Sequence, residues 1–409
     1  MKILVINCGS SSIKYQLCQA DTDQVYAKGM ISRIGEEFSR IDHQAGTATI
    51  QEEVPGLSYS QGFREIIENL VHEKVGVITD TSEISAVGHR AVHGGATFIK
   101  STIITEDVIK QIEECIPLAP LHNPANLIGI REAMKLFPGI PHVAVFDTAF
   151  HQTMPPKAYF YALPHEYYST HKIRRYGFHG TSCRYVILRT ADLSRQTVEK
   201  MKAIICHLGN GITIDAVDHG KSIDTSLGFT PMPGVMMGTR CGDIDPGVLL
   251  YMGKQLGLSL DDIDQILNRE SGLLGISGVS SDMRRIADGA GKGNRRCELA
   301  IEMFAYQAKK YIGAYAAALG GIDTLVFTAG IGENSPEVRA AICNGLEFLG
   351  IRLDTAKNNE TFAKEELISS PDSIVKVLVI PANEERMIAL DTAALAFKGL
   401  RGALRDHIR

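Results

Sequence analysis

The sequence predicts an α/β protein with mixed sheets, folded as two related lobes. Three observations carry this. Apolar runs rich in β-branched residues alternate with segments of helical spacing along the whole chain. The opening stretch, Lys2–Leu17, aligns without gaps with Lys202–Val217, so that Gly9 falls on Gly209 and Ser11 on Gly211. Finally, 409 residues exceed what one core ordinarily organises, and 44% hydrophobic with 22% charged residues supply material for two.

Taken in order, Ile3–Ile6 reads as a buried strand running into the small polar loop Asn7-Cys8-Gly9-Ser10-Ser11-Ser12. Ile13–Leu17 resumes an extended pattern around Lys14. Glycine permits close backbone approach, serine N–H and O–H groups donate, and lysine adds a point charge, so the loop suits phosphate. Ser60–Lys74 has helical spacing, with Phe63, Ile66, Ile67, Leu70 and Val71 on one face. Ile84–His89 and His142–Phe146 read as strands. Thr105–Cys115 and Pro124–Leu136 read as helices, the second with Asn123 as its cap. Leu258–Arg269, opened by Ser259, and the long Arg295–Leu319, closed by Gly320-Gly321, are further helices. A third strand entering a glycine turn is expected over Leu325–Ser335, and a C-terminal helix over Glu384–Leu400. Gly291-Lys292-Gly293 matches no phosphate-binding P-loop and reads as a plain loop.

The net charge of −5 and the absence of charge blocks give no electrostatic footprint for nucleic acid. The basic end, Lys398, Arg401, Arg405 and Arg409, reads as the cationic end of a helix. Eight scattered cysteines contain no CxxC pair, so neither a zinc site nor a disulfide framework is expected. The opening apolar run is too short for a signal peptide, and no stretch has the length of a membrane span, so a cytoplasmic protein without membrane contact is expected.

Several motifs then stand together in order. Leu4–Lys14, with its Asn-x-Gly-Ser-Ser-Ser-x-Lys pattern, resembles the first signature of the acetate/propionate kinase family, and Gly88–Gly95 resembles the second. Phe146–His151, Tyr176–Gly180, His207–Gly211 and Thr239–Pro246 fit the same family. The resemblance implies a duplicated ribonuclease-H-like fold of the actin, sugar kinase and Hsp70 type. It also implies a homodimer. Residues 1–150, completed by the C-terminal helix 385–409, would form one lobe, and 151–384 the nucleotide-binding and dimerisation lobe.

The implied reaction is magnesium-dependent transfer of the ATP terminal phosphoryl to acetate, giving ADP and acetyl phosphate. Phosphoryl transfer needs alignment and charge neutralisation more than covalent help. A carboxylate is already ionised at neutral pH, so no general base is required. By resemblance, Arg90 holds the acetate carboxylate, while His179 and Arg240 act on the transferring phosphoryl. Asp147 would work electrostatically, ordering Arg90 or magnesium, because acetate brings no proton to remove. Asn7 and Glu384 are the expected magnesium-side residues, with adjacent Glu385 barely separable by sequence; manganese is the expected substitute. Ser10, Ser12 and Lys14 complete the first phosphate loop. His207, Leu208, Gly209, Asn210 and Gly211 form the second. Asp282, Met283 and Arg284, with Gly330, Ile331, Gly332, Glu333 and Asn334, match adenosine-binding segments. Val92, Leu121, Phe178 and Pro231 are the acyl-pocket candidates, and Val92 favours acetate. His89 and His93 have an i,i+4 spacing but precede a Gly-Gly turn, which argues against a metal pair.

A propionate or butyrate kinase of the same family is the alternative, and a chaperone-type ATPase of the same fold a remote one. The latter has no need of Arg90, Asp147, His179 and Arg240 together. A sugar kinase would need a base and a polar pocket.

Overall fold

A computed structural model describes residues 1–397. In the first sheet the strands are β1 (Lys2–Gly9), β2 (Ser12–Gln19), β3 (Val25–Ser32), β4 (Phe38–Ala45), β5 (Ala48–Pro55), β6 (Ile84–Ala91), β7 (Thr102–Ile103) and β8 (His142–Phe146). Their order is β5-β4-β3-β2-β1-β6-β8-β7. Ile3, Leu4, Val5 and Ile6 are all buried. Both faces of β1 are therefore covered, which explains a continuous apolar run where a half-exposed strand would alternate. β1 and β2 close a two-residue hairpin with Gly9 opposite Ser12, and β1 runs parallel to β6, as β6 does to β8.

The second sheet contains β9 (Lys202–Leu208), β10 (Ile212–Asp218), β11 (Lys221–Thr225), β12 (Thr324–Thr328), β13 (Glu366–Leu367) and β14 (Lys376–Val379), ordered β11-β10-β9-β12-β14-β13. β9–β11 form an antiparallel meander, and β12 and β14 continue parallel to β9. The series β3-β2-β1-β6-β8 and β11-β10-β9-β12-β14 thus share order and direction. This is the duplicated ribonuclease-H-like architecture implied by the resemblance.

The chain divides into two compact units, one of Met1–Phe150, 180–185 and the described residues from Asn383, the other of His151–His179 and Val186–Ala382. The expected cut after residue 384 moves ahead of Asn383, because Asn383 caps the C-terminal helix and accepts from Arg386 N. In the first unit, helices Tyr59–Val71 and Asn123–Leu136 bring Phe63, Ile66, Leu70, Ala133 and Phe137 against Ile13, Leu17 and Ile31 of the sheet. Each such aliphatic side chain contributes about 1.5–3 kcal/mol on burial.

The helix over Tyr59–Val71 starts from Ser58, which forms a capping box with Gln61. Thr105 caps the helix Glu106–Glu114. Asn123, in contrast, is no cap: His122 takes that position, while the Asn123 amide accepts from His93 N and donates to His93 O. The helix expected over Leu258–Arg269 is regular only over Leu260–Gln265, then widens to a π-turn at Ile266–Glu270. The Gly330–Asn334 turn is in fact the helix Ala329–Asn334. Arg90 lies within β6, not after it. Arg295–Leu319 is helical as expected and ends at Gly320, φ 65°. Lys292 caps the end of the helix Met283–Gly291 ahead of it, leaving a plain connection. The C-terminal helix spans Glu384–Ala396, and Lys398, Leu400, Arg401, Arg405 and Arg409 lie outside the described residues.

None of the eight cysteines forms a disulfide. Among the described residues, no helix is long and apolar enough to cross a membrane.

Candidate active site

In the first unit, chain register gathers the charged groups. Ile6 pairs with His89 across the parallel β1/β6 ladder, so Asn7 and Arg90 leave neighbouring strand ends together. Asp147 directly follows β8, and its N–H donates to Ala91 O at 3.0 Å. The Arg90 guanidinium grips both Asp147 oxygens: Nε lies 3.2 and 3.1 Å from Oδ1 and Oδ2, and Nη2 lies 2.5 Å from Oδ2. Thr181 Oγ1 donates to Oδ1 at 3.3 Å. Nη1 points to Asn7 Oδ1 at 3.5 Å, and Nε stands 3.7 Å from Glu384 Oε2. Burial opposes the Arg90 charge, but Asp147 and Glu384 outweigh it and hold the guanidinium above its ordinary pKa. Burial likewise raises the Asp147 carboxyl, with Arg90 pulling the other way.

The loop expected to bind phosphate forms the tip of the β1–β2 hairpin. Ser10 and Lys14 are exposed and Ser12 half-buried, with Lys14 directly across from Asn7. One amide ties this tip to the arginine strand: Asn126 donates to Cys8 O at 2.7 Å and accepts from Val92 N at 2.9 Å. Val92 is buried, whereas Leu121 is exposed. His89 and His93 form no metal pair. His89 bonds and stacks with His142, and His93 Nδ1 accepts from Gly95 N. Burial pushes the His93 imidazole down to about 3.

In the second unit, the turn between β9 and β10 forms the other focus. His179 stands at the head of the helix Gly180–Ser194 with φ 56°, a left-handed conformation uncommon for a residue with a side chain. Its Nδ1 meets Thr213 Oγ1 at 2.9 Å, and its ring stacks on His207 at 4.4 Å. A Cβ placed on Gly211 would lie 2.9 Å from His179 Cε1, 3.2 Å from Nε2 and 3.7 Å from Arg240 Nη1. Arg240 Nη1 donates to Pro231 O at 3.0 Å. Burial lowers the Arg240 pKa, and among the described residues no carboxylate pairs with it. Arg90 is paired with a carboxylate, whereas no carboxylate is paired with Arg240 among the described residues.

The remaining predicted residues divide. A Cβ on Gly209 would come within 3.5 Å of Ala329, so the turn abuts the start of the helix holding Gly330–Asn334. A Cβ on Gly238 would meet Asn210 Oδ1 at 2.7 Å and Ser281 O at 3.2 Å, which brings the Arg240 loop and the Asp282 segment to the same turn. Asp282 caps its helix and pairs with the exposed Arg284 at 2.6 Å, so these two satisfy each other, while Met283 is core. Leu208 and Phe178 are buried, and Ile331 is half-buried. A Cβ on Gly332 would lie 3.4 Å from the Phe327 backbone, Glu333 accepts from Ala382 N, and Asn334 donates to Gly330 O. Thr181 and Thr213, which orient Asp147 and His179, were missed. Polar, buried Thr213 and Asp215 among the apolar residues of β10 are the signal that could have found the second.

Magnesium binds few protein oxygens and retains water and phosphate ligands. Asn7 Oδ1 and the Glu384 carboxylate, brought to one guanidinium, suit that hard-oxygen chemistry. Among the described residues no cluster of three or more His, Cys, Asp or Glu is arranged to hold a metal, so the ion would depend on substrate phosphate.

The Acetokinase family model matches residues 2–390. An acetate kinase of Thermotoga maritima is 55% identical over 402 residues, covering 97% of this chain and 99% of that protein. The crystal structure of Porphyromonas gingivalis acetate kinase aligns with TM-score 0.93 and 48% identity over 96% of this chain and 99% of that one. A propionate kinase from Francisella tularensis aligns with TM-score 0.90 and 44% identity over 96% and 99%. By sequence and by fold, the chain belongs to the acetokinase family.

Proposed function

We propose that this chain catalyses the reversible transfer of the terminal phosphoryl of ATP to acetate, giving ADP and acetyl phosphate. The observation that carries the reading is the contrast between two arginines: Arg90 locked on its Asp147 edge, and Arg240 buried without a carboxylate beside a glycine turn.

Asp147 occupies the Nε and Nη2 side of Arg90 and fixes the plane of the guanidinium. The Nη1 side is the one that holds the acetate carboxylate. Asp147 is thus an orienting charge and not a base, since the nucleophile arrives ionised. An acetate oxygen forms a bond to the γ-phosphorus as the bond from phosphorus to the β–γ bridging oxygen breaks. The electron pair leaves with ADP, in line and without a covalent enzyme intermediate. His179 and Arg240 donate to the equatorial oxygens, where charge spreads, and need no reorganisation as the reaction proceeds. Ser10, Ser12 and Lys14 and the turn His207–Gly211 hold phosphates. The segments Asp282–Arg284 and Gly330–Asn334 hold the adenosine. Asn7 and Glu384 would hold magnesium, which would neutralise charge on the phosphates, with manganese as a substitute.

Val92, Leu121, Phe178 and Pro231 shape the acyl pocket. One methylene is worth about 1–3 kcal/mol there, so acetate is preferred over propionate without absolute exclusion. The active form is a homodimer. Helix Pro246–Gln255 buries none of its residues, yet exposes Val248, Leu250 and Tyr251, continued by Leu256 and Leu260. Such a face fits a second copy of the chain. Eight cysteines without a disulfide suit the reducing cytoplasm.

A hydroxamate assay for acyl phosphate, run with ATP, magnesium and acetate, propionate or butyrate, tests the reading. Acetate is expected to give the highest kcat/KM. Preference for propionate would reassign the chain within its family, and ADP release without acyl phosphate would leave only an ATPase.

A further inference from the structure

Behind the phosphate turn of the second unit lies a group of ionisable side chains that the reaction above does not use. His151, Asp215 and Ser222 are each completely buried. His151 Nε2 lies 2.9 Å from the Phe178 carbonyl oxygen, and its Nδ1 lies 2.9 Å from Ser222 Oγ and 3.5 Å from Asp215 Oδ1. Ser222 Oγ lies 2.7 Å from Asp215 Oδ1.

A carbonyl only accepts, so His151 Nε2 donates to Phe178 O. On its other side Nδ1 is held by Ser222, which is itself anchored on Asp215 Oδ1. The ring is thus fixed from both nitrogens, with its Nε2–H committed to Phe178. The hydroxyl sits between carboxylate and imidazole, not beyond the imidazole, so the order is wrong for an activated nucleophile.

The grip falls one peptide before His179, the proposed hydrogen-bond donor to the transferring phosphoryl. Phe178 O also lies 3.5 Å from Thr213 Oγ1, the group that engages His179 Nδ1. Gly177, φ 78°, lies flat on the histidine: a Cβ there would come 2.7 Å from His151 Cγ and Cδ2. His179 then takes its left-handed φ of 56°. We infer that His151 is a positioning residue for the phosphoryl-transfer reaction: through the Phe178 carbonyl, backed by Ser222 and Asp215, it fixes the backbone that aims the His179 imidazole at the phosphate turn. The inference rests on the reading of His179 as a donor to the transferring phosphoryl.

The test compares His151→Ala, His151→Gln, Ser222→Ala, His179→Ala and the double variant His151→Ala/His179→Ala, as full-length protein with ATP, magnesium and acetate. Rates are normalised to folded protein by near-ultraviolet circular dichroism. His151→Ala is expected to lower kcat by about ten- to a hundredfold, with both KM values within about threefold, the scale of a sub-ångström misplacement. His151→Gln, whose amide repeats the Nε2 donor, should recover most of that loss, and Ser222→Ala should fall between. In the His179→Ala background the second change should cost less than about twofold, because the two act as a unit. Multiplicative losses, or equal kcat per folded molecule in His151→Ala and wild type, would overturn the positioning role while leaving His179 in place. A normal kcat in His179→Ala would instead remove the donor assignment itself, and the inference with it.

Discussion

Replacing Gly211 with alanine separates the geometry of the phosphate turn from the stability of the fold. The new methyl would sit 2.9 Å from His179 Cε1 and 3.2 Å from Nε2. Carbon atoms prefer about 3.5–4.0 Å, so the imidazole must retreat by roughly half an ångström. It has little room, with His207 stacked on it at 4.4 Å and Thr213 holding Nδ1 at 2.9 Å. A displacement of that size in a group acting on developing charge should lower kcat by about tenfold or more. Stability should hardly change. Gly211 is not among the residues with positive φ, so alanine can adopt its backbone and restricts the unfolded chain, worth about 0.4–1 kcal/mol in favour of folding against the local crowding. Gly313→Ala, in the helix Arg295–Leu319 with open space around its Cβ, is the control and should raise the melting temperature without touching the rate. The assay is hydroxamate formation at saturating ATP and acetate, with thermal melts on the same preparations. A Gly211→Ala enzyme with kcat within about twofold of wild type would refute the placement of His179 against the reacting phosphoryl.

Arg90→Ala should raise the acetate KM by about ten- to a hundredfold, the worth of a charge-assisted hydrogen bond, and the ATP KM far less; parallel increases in steady-state titrations would take Arg90 out of the acetate site. Arg240→Ala and His179→Ala should each lower kcat by roughly 10²-fold, and Arg240→Lys should rescue poorly because an ammonium lacks the planar fork; weaker binding at normal kcat would count against both. Val92→Ala should raise the propionate-to-acetate ratio of kcat/KM by about tenfold, whereas a lowered melting temperature at constant ratio would make Val92 a core residue only. Leu250→Asp should convert the sedimenting species from dimer to monomer, and an unchanged dimer would move the interface elsewhere.

Much of this was legible because it is local or repeated. The hairpins β1–β2 and β9–β10 announce themselves by apolar runs broken at glycine, and the same break recurring after an interval exposed the duplication. Helix starts at Thr105 and Ser259 follow from side chains capping their own backbone, whereas the first helix, expected from Ser60, begins at Tyr59 under the cap of Ser58. The failures are cases where a distant partner decides. Asn123 has the chemistry of a cap, but the turn after β6 brings the His93 N–H and C=O to its amide, which binds both. Gly330–Asn334 resembles the other glycine turns, yet no second hairpin strand follows, and Glu333 is tethered to Ala382 as a helix. Within the candidate site, residue types were readable from motifs. The division of labour between a neutralised Arg90 and an unneutralised Arg240 was not, because it depends on which carboxylates the fold brings within reach.

The C-terminal helix has a consequence for how the molecule comes into being. Met387, Ile388, Leu390 and Ala393 are buried, and Ile388 seats so closely on β6 that a Cβ on Gly88 would lie 2.7 Å from it. The lobe that the ribosome begins first is therefore the lobe it finishes last. Until residues 384–396 emerge, the nascent chain carries a sheet with one apolar surface uncovered, while the second lobe, contiguous in the message but for short excursions, already holds its own strands. Glu384 arrives on the same helix, so a truncated chain lacks both the cover for its core and one of the groups assigned to magnesium.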